Sequence, residues 1–212
     1  MEDLIVIRIF SEGGWIMWPM LITSIVSLTV IIERFIWWER EKRKRDPVKL
    51  DLLFAALEKN QVKEASELSK GSEDPILRVI WYGLNHHHAS LEGALQVSAG
   101  IELERAGRFI VVLDTIVTLA PLLGLLGTVT GLMKAFFKLG DAELSEQAIG
   151  GGIAEALIAT ACGLTIAIVS LVFLNYYSSK LARFQFDLQT ACTNTEVLLD
   201  APVKREAPIT VS

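Results

Sequence analysis

One acidic residue, Glu155, stands inside a stretch of apolar and small residues, GGIAEALIATACGLTIAI (Gly151–Ile168). An ionised carboxylate in such surroundings is costly unless it faces water, a partner or an interior cavity. Desolvation disfavours its charged form, which makes proton exchange possible. A protonated or hydrogen-bonded glutamate would instead only tie helices together, and residue chemistry leaves both uses open. Hydroxyls accompany the carboxylate: Thr160 and Thr165 in the same stretch, and Thr115, Thr118, Thr128 and Thr130 in a second apolar stretch. Threonines in membrane helices mostly bond back to a carbonyl of the previous turn. Thr128, one turn beyond Gly124, and Thr160, one turn beyond Ala156, have the better claims because of their small neighbours. Pro121 leaves the Val117 carbonyl without its usual donor, so a kink or hydrated spot is expected there. Together these residues form a polar track suited to protons or ions rather than to a bulky substrate.

Other chemistries are poorly supplied, and the chain is not expected to be an enzyme. The three histidines, His86, His87 and His88, are adjacent and lie outside every apolar run, so no intramembrane Ser-His or histidine-metal site can be assembled. No GxxxxGK[ST] loop is present to hold a nucleotide. Cys162 and Cys192 are 30 positions apart with no metal-ligand spacing, and each reads as an inert thiol. No cofactor and no metal are expected. A net charge of -5 argues against a nucleic-acid partner, which needs a basic face.

The elements that must position Glu155 and the threonines are long apolar helices. The hydrophobic share is 51% and the mean hydropathy +0.42, both on the high side for a soluble domain. Crossing a bilayer takes roughly 20 apolar residues in a helix. Uncharged runs of that length lie between Glu12 and Glu33, between Asp114 and Lys134, and between Glu155 and Lys180. Trp15, Trp18, Trp37 and Trp38 bracket the first, as interfacial aromatics do. The acidic start Met1-Glu2-Asp3 does not resemble a removable signal, so membrane entry is assigned to the helices themselves.

Basic residues set the orientation. Arg40, Lys42, Arg43, Lys44 and Arg45 follow the first span, and Lys180 and Arg183 follow the third, whereas Asp141, Glu143 and Glu146 lie between the second and third. The expected order is a periplasmic N-terminal surface helix (1–12) and a first span (13–38), then a cytoplasmic helical segment (39–108). A second span (109–137), a periplasmic turn (138–148), a third span (149–177) and a cytoplasmic C-terminal helix and tail (178–212) complete it. Within the cytoplasmic segment Asp46-Pro47 and Asp74-Pro75 predict helix starts. Leu50, Leu53, Ala56 and Leu57 repeat at helical spacing, with Gly71 as a stop. From Ser90 the pattern runs through Glu102 and Arg105 straight into the second span.

Small residues stripe two spans. Ala120, Gly124, Gly127, Gly131 and Ala135 recur at spacings of 4, 3, 4 and 4, and Gly152, Ala156, Ala159, Gly163, Ala167 and Ser170 at 4, 3, 4, 4 and 3. Such stripes let helix backbones approach closely in lipid. One stripe is satisfied by pairing the two spans. Two full stripes fit a crowded bundle of several subunits better, so an oligomer is expected.

The stretch LAPLLGLLGTVTGLM (Leu119–Met133), together with Gly151–Ile168 and the three-span layout, resembles the MotA/TolQ/ExbB proton-channel family. One span ahead of the large cytoplasmic segment is similar to the ExbB/TolQ branch; the first span and cytoplasmic segment match only in layout. The resemblance implies an all-α membrane protein of three transmembrane helices with long cytoplasmic extensions, assembled as a homopentamer in a bacterial inner membrane. It implies a dimer of an ExbD- or TolR-like single-span partner that carries the proton-bearing aspartate, and a TonB- or TolA-like periplasmic protein that receives the force. The family's pore threonines carry over to Thr128 and Thr160, and its third-span glutamate to Glu155. Because Glu155 and Thr160 are five residues apart, about 140° around a helix, both cannot face one pore axis. Thr128 and Thr160 are placed at the lumen and Glu155 at its flank. A second reading remains, in which the chain is a helical scaffold that stabilises a partner without conducting.

Overall fold

The computed structural model describes residues 13–86, 90–138 and 146–200, with no side-chain detail for residues 138 and 146–149. Those residues contain seven helices and no strand: α1 (Met17–Arg43), α2 (Pro47–Glu58), α3 (Val62–Ser69), α4 (Pro75–Asn85), α5 (Leu91–Gly107), α6 (Ile110–Lys138) and α7 (Glu146–Asp200). The expected surface helix at 1–12, most of the turn at 138–148, His87, His88 and the last twelve residues lie outside the described part. Three helices are long and apolar enough to cross a membrane, α1, α6 and α7. At about 1.5 Å per residue, the 55 residues of α7 rise roughly 80 Å, against a hydrocarbon core of about 30 Å.

The chain divides into two compact units, Met1–Ile36 with Phe109–Ser178, and Trp37–Arg108 with Ser179–Ser212. The first holds the spans. Its outward surface is apolar, with Trp18, Ile22, Ile25, Leu122, Leu157 and Ile168 all exposed, as a lipid-facing or subunit-facing surface requires. Inside, α1 and α7 meet along a polar seam. The hydroxyls of Ser27 and Ser170 are 2.7 Å apart and buried, and the buried Tyr177 hydroxyl donates to the Ile31 carbonyl at 2.9 Å. Where hydrophobic attraction between helices is absent, such interhelical bonds and close packing hold a bundle.

The second unit is an ordinary water-soluble core. Leu53, Leu57, Ile76, Leu77, Ile80, Leu95 and Leu188 are all at least nine-tenths buried in it. Its helix starts are set locally. The Asp46 carboxylate accepts from the Lys49 N–H, that of Asp74 from the Ile76 N–H, and the Ser90 hydroxyl from the Gly93 N–H. Asp74 is buried and also accepts the Asp46 backbone N–H at 2.7 Å, joining the starts of α2 and α4. Asp74→Ala removes both bonds and leaves a buried N–H unpaired, so we expect a loss of about 2 kcal/mol. Thermal unfolding of the detergent-solubilised chain measures it, with Asp51→Ala on the exposed face of α2 as the silent control. Cys192 is buried here, and burial with the neighbouring Glu196 carboxylate pushes its thiol up to about 11, which leaves little thiolate near neutrality.

Two expectations about helix continuity are corrected. The helical pattern from Leu50 towards Gly71 is cut at Asn60, whose φ of 57° separates α2 from α3; Gly71, at φ 67°, follows α3 as the stop. The pattern from Ser90 does not run straight into the second span either. It breaks after Gly107, and Phe109 adopts φ 65°, a left-handed conformation uncommon for an aromatic residue. The compensation is tertiary: the Arg34 guanidinium lies over the Phe109 ring, 5.6 Å from its centroid.

Candidate functional site: the hairpin of the second and third spans

The two small-residue stripes face each other within one chain. A methyl group added at Gly124 would lie 3.1 Å from the Thr160 Cα and 3.2 Å from the Ala159 carbonyl oxygen. One added at Gly131 would lie 2.8 Å from the Gly152 carbonyl oxygen, one at Gly152 2.8 Å from the Ala135 Cβ, and one at Gly163 2.5 Å from the Ala120 carbonyl oxygen. At Gly127 it would overlap Ala159, and Ala156 packs against Gly131. Ala120, Ala135, Ala156 and Ala159 are buried accordingly. This corrects the inference from stripes to subunits: α6 and α7 use most of both stripes in their own contact, and Ser170, at the end of the second, meets Ser27 of α1. The stripes therefore carry no information on oligomeric state. Pro121, also on this hairpin, sits within an uninterrupted α6.

Glu155 is placed by this packing. It stands one residue before Ala156 on α7, and its Oε1 receives the Lys134 ammonium of α6 at 2.5 Å. The Glu155 side chain is only 15% exposed, that of Lys134 49%. On the other side the carboxylate is pressed against Gly14, just ahead of α1. Gly14 has φ 72°, and any Cβ there would overlap the carboxylate. Glycine is favoured at this position by the backbone conformation, and a larger residue would have to displace the carboxylate. A carboxylate thus sits where all three membrane helices converge, held by one ammonium.

In the sequence Lys134 reads only as the end of a span. The signal that could have found it is register. If Gly131 faces Gly152 and Ala156, then Lys134, one turn after Gly131, falls beside Glu155. Arg34 was missed as well. It is 1% exposed in the second half of α1 and donates to both carboxylate oxygens of Glu33, at 2.5 and 2.6 Å.

The threonines separate into two kinds. Thr115, Thr118, Thr128, Thr130 and Thr165 each donate to a carbonyl three or four residues earlier in their own helix, Thr128 to Leu125 at 2.7 Å. Thr160 alone among these donates across the hairpin, to the Gly124 carbonyl at 3.3 Å. Thr128 and Thr160 are both half-buried in the single chain. Glu155 and Thr160 make unlike contacts on the same neighbour, Glu155 with a side-chain cation and Thr160 with the backbone.

Helices throughout the described residues, three of them long and apolar enough to cross a membrane, define a polytopic membrane protein of the all-α class. The chain belongs to the MotA/TolQ/ExbB proton channel family, whose model matches residues 53–190. Among its relatives, the putative biopolymer transport protein ExbB-like 1 of Synechocystis is 39% identical over 171 residues, covering 77% of this chain and 66% of that protein. The putative ExbB-like 3 of the same organism is 33% identical over 187 residues, covering 83% and 86%. The Tol-Pal system protein TolQ of Haemophilus influenzae is 37% identical over 95 residues, covering 44% and 42%. The chain falls with the ExbB/TolQ branch, and it spans just under two thirds of ExbB-like 1.

Proposed function

We propose that this protein is the channel subunit of an inner-membrane motor that lets protons run down their gradient and passes the force to a periplasmic protein of the TonB or TolA kind. The observation that carries the reading is the Glu155–Lys134 pair at the convergence of the three spans. A hairpin already closed by its small residues does not depend on this ion pair for its packing, which favours a functional use of the carboxylate. In this reading the N-terminus is periplasmic and α2–α5 are cytoplasmic, in keeping with Arg40, Lys42 and Arg43 in the last turn of α1. Several copies, five by family resemblance, surround a pair of single-span partners whose aspartate carries the proton. The exposed apolar faces of α1, α6 and α7 supply lipid and subunit contacts together. Thr128 and Thr160 line the lumen, and Glu155 stands at its flank. Each proton crossing releases about 2.3 kcal/mol per 100 mV, so a few protons per stroke suffice to strain a protein fold.

The test is made in the native cell. Thr160→Val and Glu155→Ala should each abolish energy-dependent uptake or envelope integrity while the complex still copurifies at its normal native mass. An uncoupler should reproduce the defect in the unmodified strain. Activity that follows assembly and ignores the membrane potential would instead identify a scaffold.

A further inference from the structure

The second unit contains a cavity of about 250 Å³ whose walls come from the last turns of α1 and the middle of α7. Four cations line it, Lys42, Arg45, Lys180 and Arg183, over an aromatic floor of Trp38 and Phe184. The two rings meet edge to face with centroids 6.1 Å apart, and the Lys180 ammonium lies 5.8 Å from the Trp38 ring centroid. Two carboxylates complete the lining, Glu41 and Asp187, and both are already engaged. Glu41 is paired with Lys44 at 3.5 Å and Arg78 at 3.7 Å, and Asp187 with Arg45 at 3.1 Å. Among the described residues, neither Lys42 nor Arg183 has an ion-pair partner. The cavity therefore presents two uncommitted positive charges and an excess of four cations over two carboxylates.

Its place along the chain is as informative as its charge. Residues 38–43, with Lys44 and Arg45 just beyond α1, and residues 180–187 of α7 directly follow the apolar stretches of those helices. At about 1.5 Å per residue these segments rise roughly 10 Å, enough to cross the headgroup zone of about 5–8 Å on one side of a bilayer. The Trp38 indole N–H is buried and has no acceptor among the described residues. Ester and phosphodiester oxygens are acceptors of the kind such a donor lacks. A lysine- and arginine-lined pocket beside spanning helices is suited to an anionic headgroup, and an aromatic floor suits the glycerol and upper acyl carbons beneath it.

We propose that this cavity binds the phosphate headgroup of an acidic phospholipid from the leaflet nearest α2–α5, with Lys42 and Arg183 taking the phosphate and Trp38 and Phe184 supporting the glycerol end. The site is independent of the proton-channel reading, because its residues lie in the second unit, on α7 only beyond Ser178, and none touches Glu155, Lys134, Thr128 or Thr160. The occupant is a lipid rather than a soluble anion because the lining combines uncommitted cations with large apolar rings at the depth of the headgroups.

The test uses the full chain, with whatever subunits copurify, in mild detergent, titrated with phosphatidylglycerol or phosphatidylcholine and read by native mass spectrometry. Wild type should retain phosphatidylglycerol at least about tenfold more tightly than phosphatidylcholine. The double variant Lys42→Gln/Arg183→Gln should weaken phosphatidylglycerol about ten- to thirtyfold, in line with two surface cations lost. Both side chains are exposed, so the fold should be unaffected, which an unchanged lipid-free melting temperature checks. Lys59→Gln/Lys63→Gln, which removes two exposed charges elsewhere in the same unit, should leave lipid retention unchanged. Equal retention by the cavity variant and wild type, or an equal loss in the control variant, overturns the site. Full displacement of the lipid by millimolar inorganic phosphate overturns the choice of a lipid as occupant.

Discussion

Gly163→Val should leave a chain that still inserts three apolar segments but no longer holds its second and third spans together. A Cβ at this position meets the Ala120 carbonyl oxygen at 2.5 Å and the Gly124 Cα at 3.2 Å. Both obstacles are backbone, so neither can turn aside as a flexible side chain would, and valine adds two further methyl groups. Overpacking costs about 1–3 kcal/mol where side chains can shift. Here the two helices must separate, which also strips Gly124 and Gly131 of their contacts and breaks the Thr160 bond to Gly124. The expected result is loss of the cooperative thermal transition in detergent and loss of cross-linking between cysteines introduced on facing turns of α6 and α7. Gly151→Ala makes the contrast. Nothing lies within 4 Å of a Cβ there, so the substitution should be neutral or slightly stabilising, alanine being the better helix former. Equal tolerance of both substitutions would refute the hairpin.

The second large effect is expected at Lys134. Lys134→Met removes the only hydrogen-bond or ion-pair partner that the Glu155 carboxylate has among the described residues, leaving a charge 15% exposed at the convergence of three apolar helices. A buried group left without its partner costs about 1–3 kcal/mol, and a charged one more. Because Lys134 is half exposed, the lower part of that range is the better guide. Removing both charges should restore most of the loss, so Lys134→Met/Glu155→Gln should unfold at a higher temperature than Lys134→Met alone. Activity should move differently. The double variant regains stability but not coupled transport if Glu155 serves the proton path, whereas a carboxylate that only ties helices together would let activity return with stability. A double-mutant cycle showing coupling below about 0.5 kcal/mol would mean that the pair is not an energetic unit.

Much of this protein is readable in one dimension because the governing interactions are local. Three uncharged apolar runs identify the spans, since the bilayer demands about 20 apolar residues in succession whatever the rest of the chain does. Asp46, Asp74 and Ser90 announce their helices because each bonds to a backbone N–H two or three residues ahead. The family resemblance, carried by Leu119–Met133 and Gly151–Ile168, falls inside the region that the family model matches.

What escaped the sequence lies between residues far apart along it. The stripe on α6 is the same string of small residues whether it meets α7 of its own chain or a helix of another. Only the folded chain shows Gly131 closing on Gly152, and Lys134 reaching Glu155 as a result. Phe109 offers no local reason to be left-handed; the Arg34 guanidinium above its ring, 75 positions earlier, gives a tertiary one. The Ser27–Ser170 contact and the Tyr177 bond to the Ile31 carbonyl join residues more than 140 positions apart. The sequence by itself thus determined which segments are apolar enough to enter the membrane, where α2, α4 and α5 begin, and that a carboxylate sits within a span. The tertiary structure decided what neutralises that carboxylate and which faces remain free, because pairing across a hairpin depends on register, and register is set by contacts that no local pattern contains.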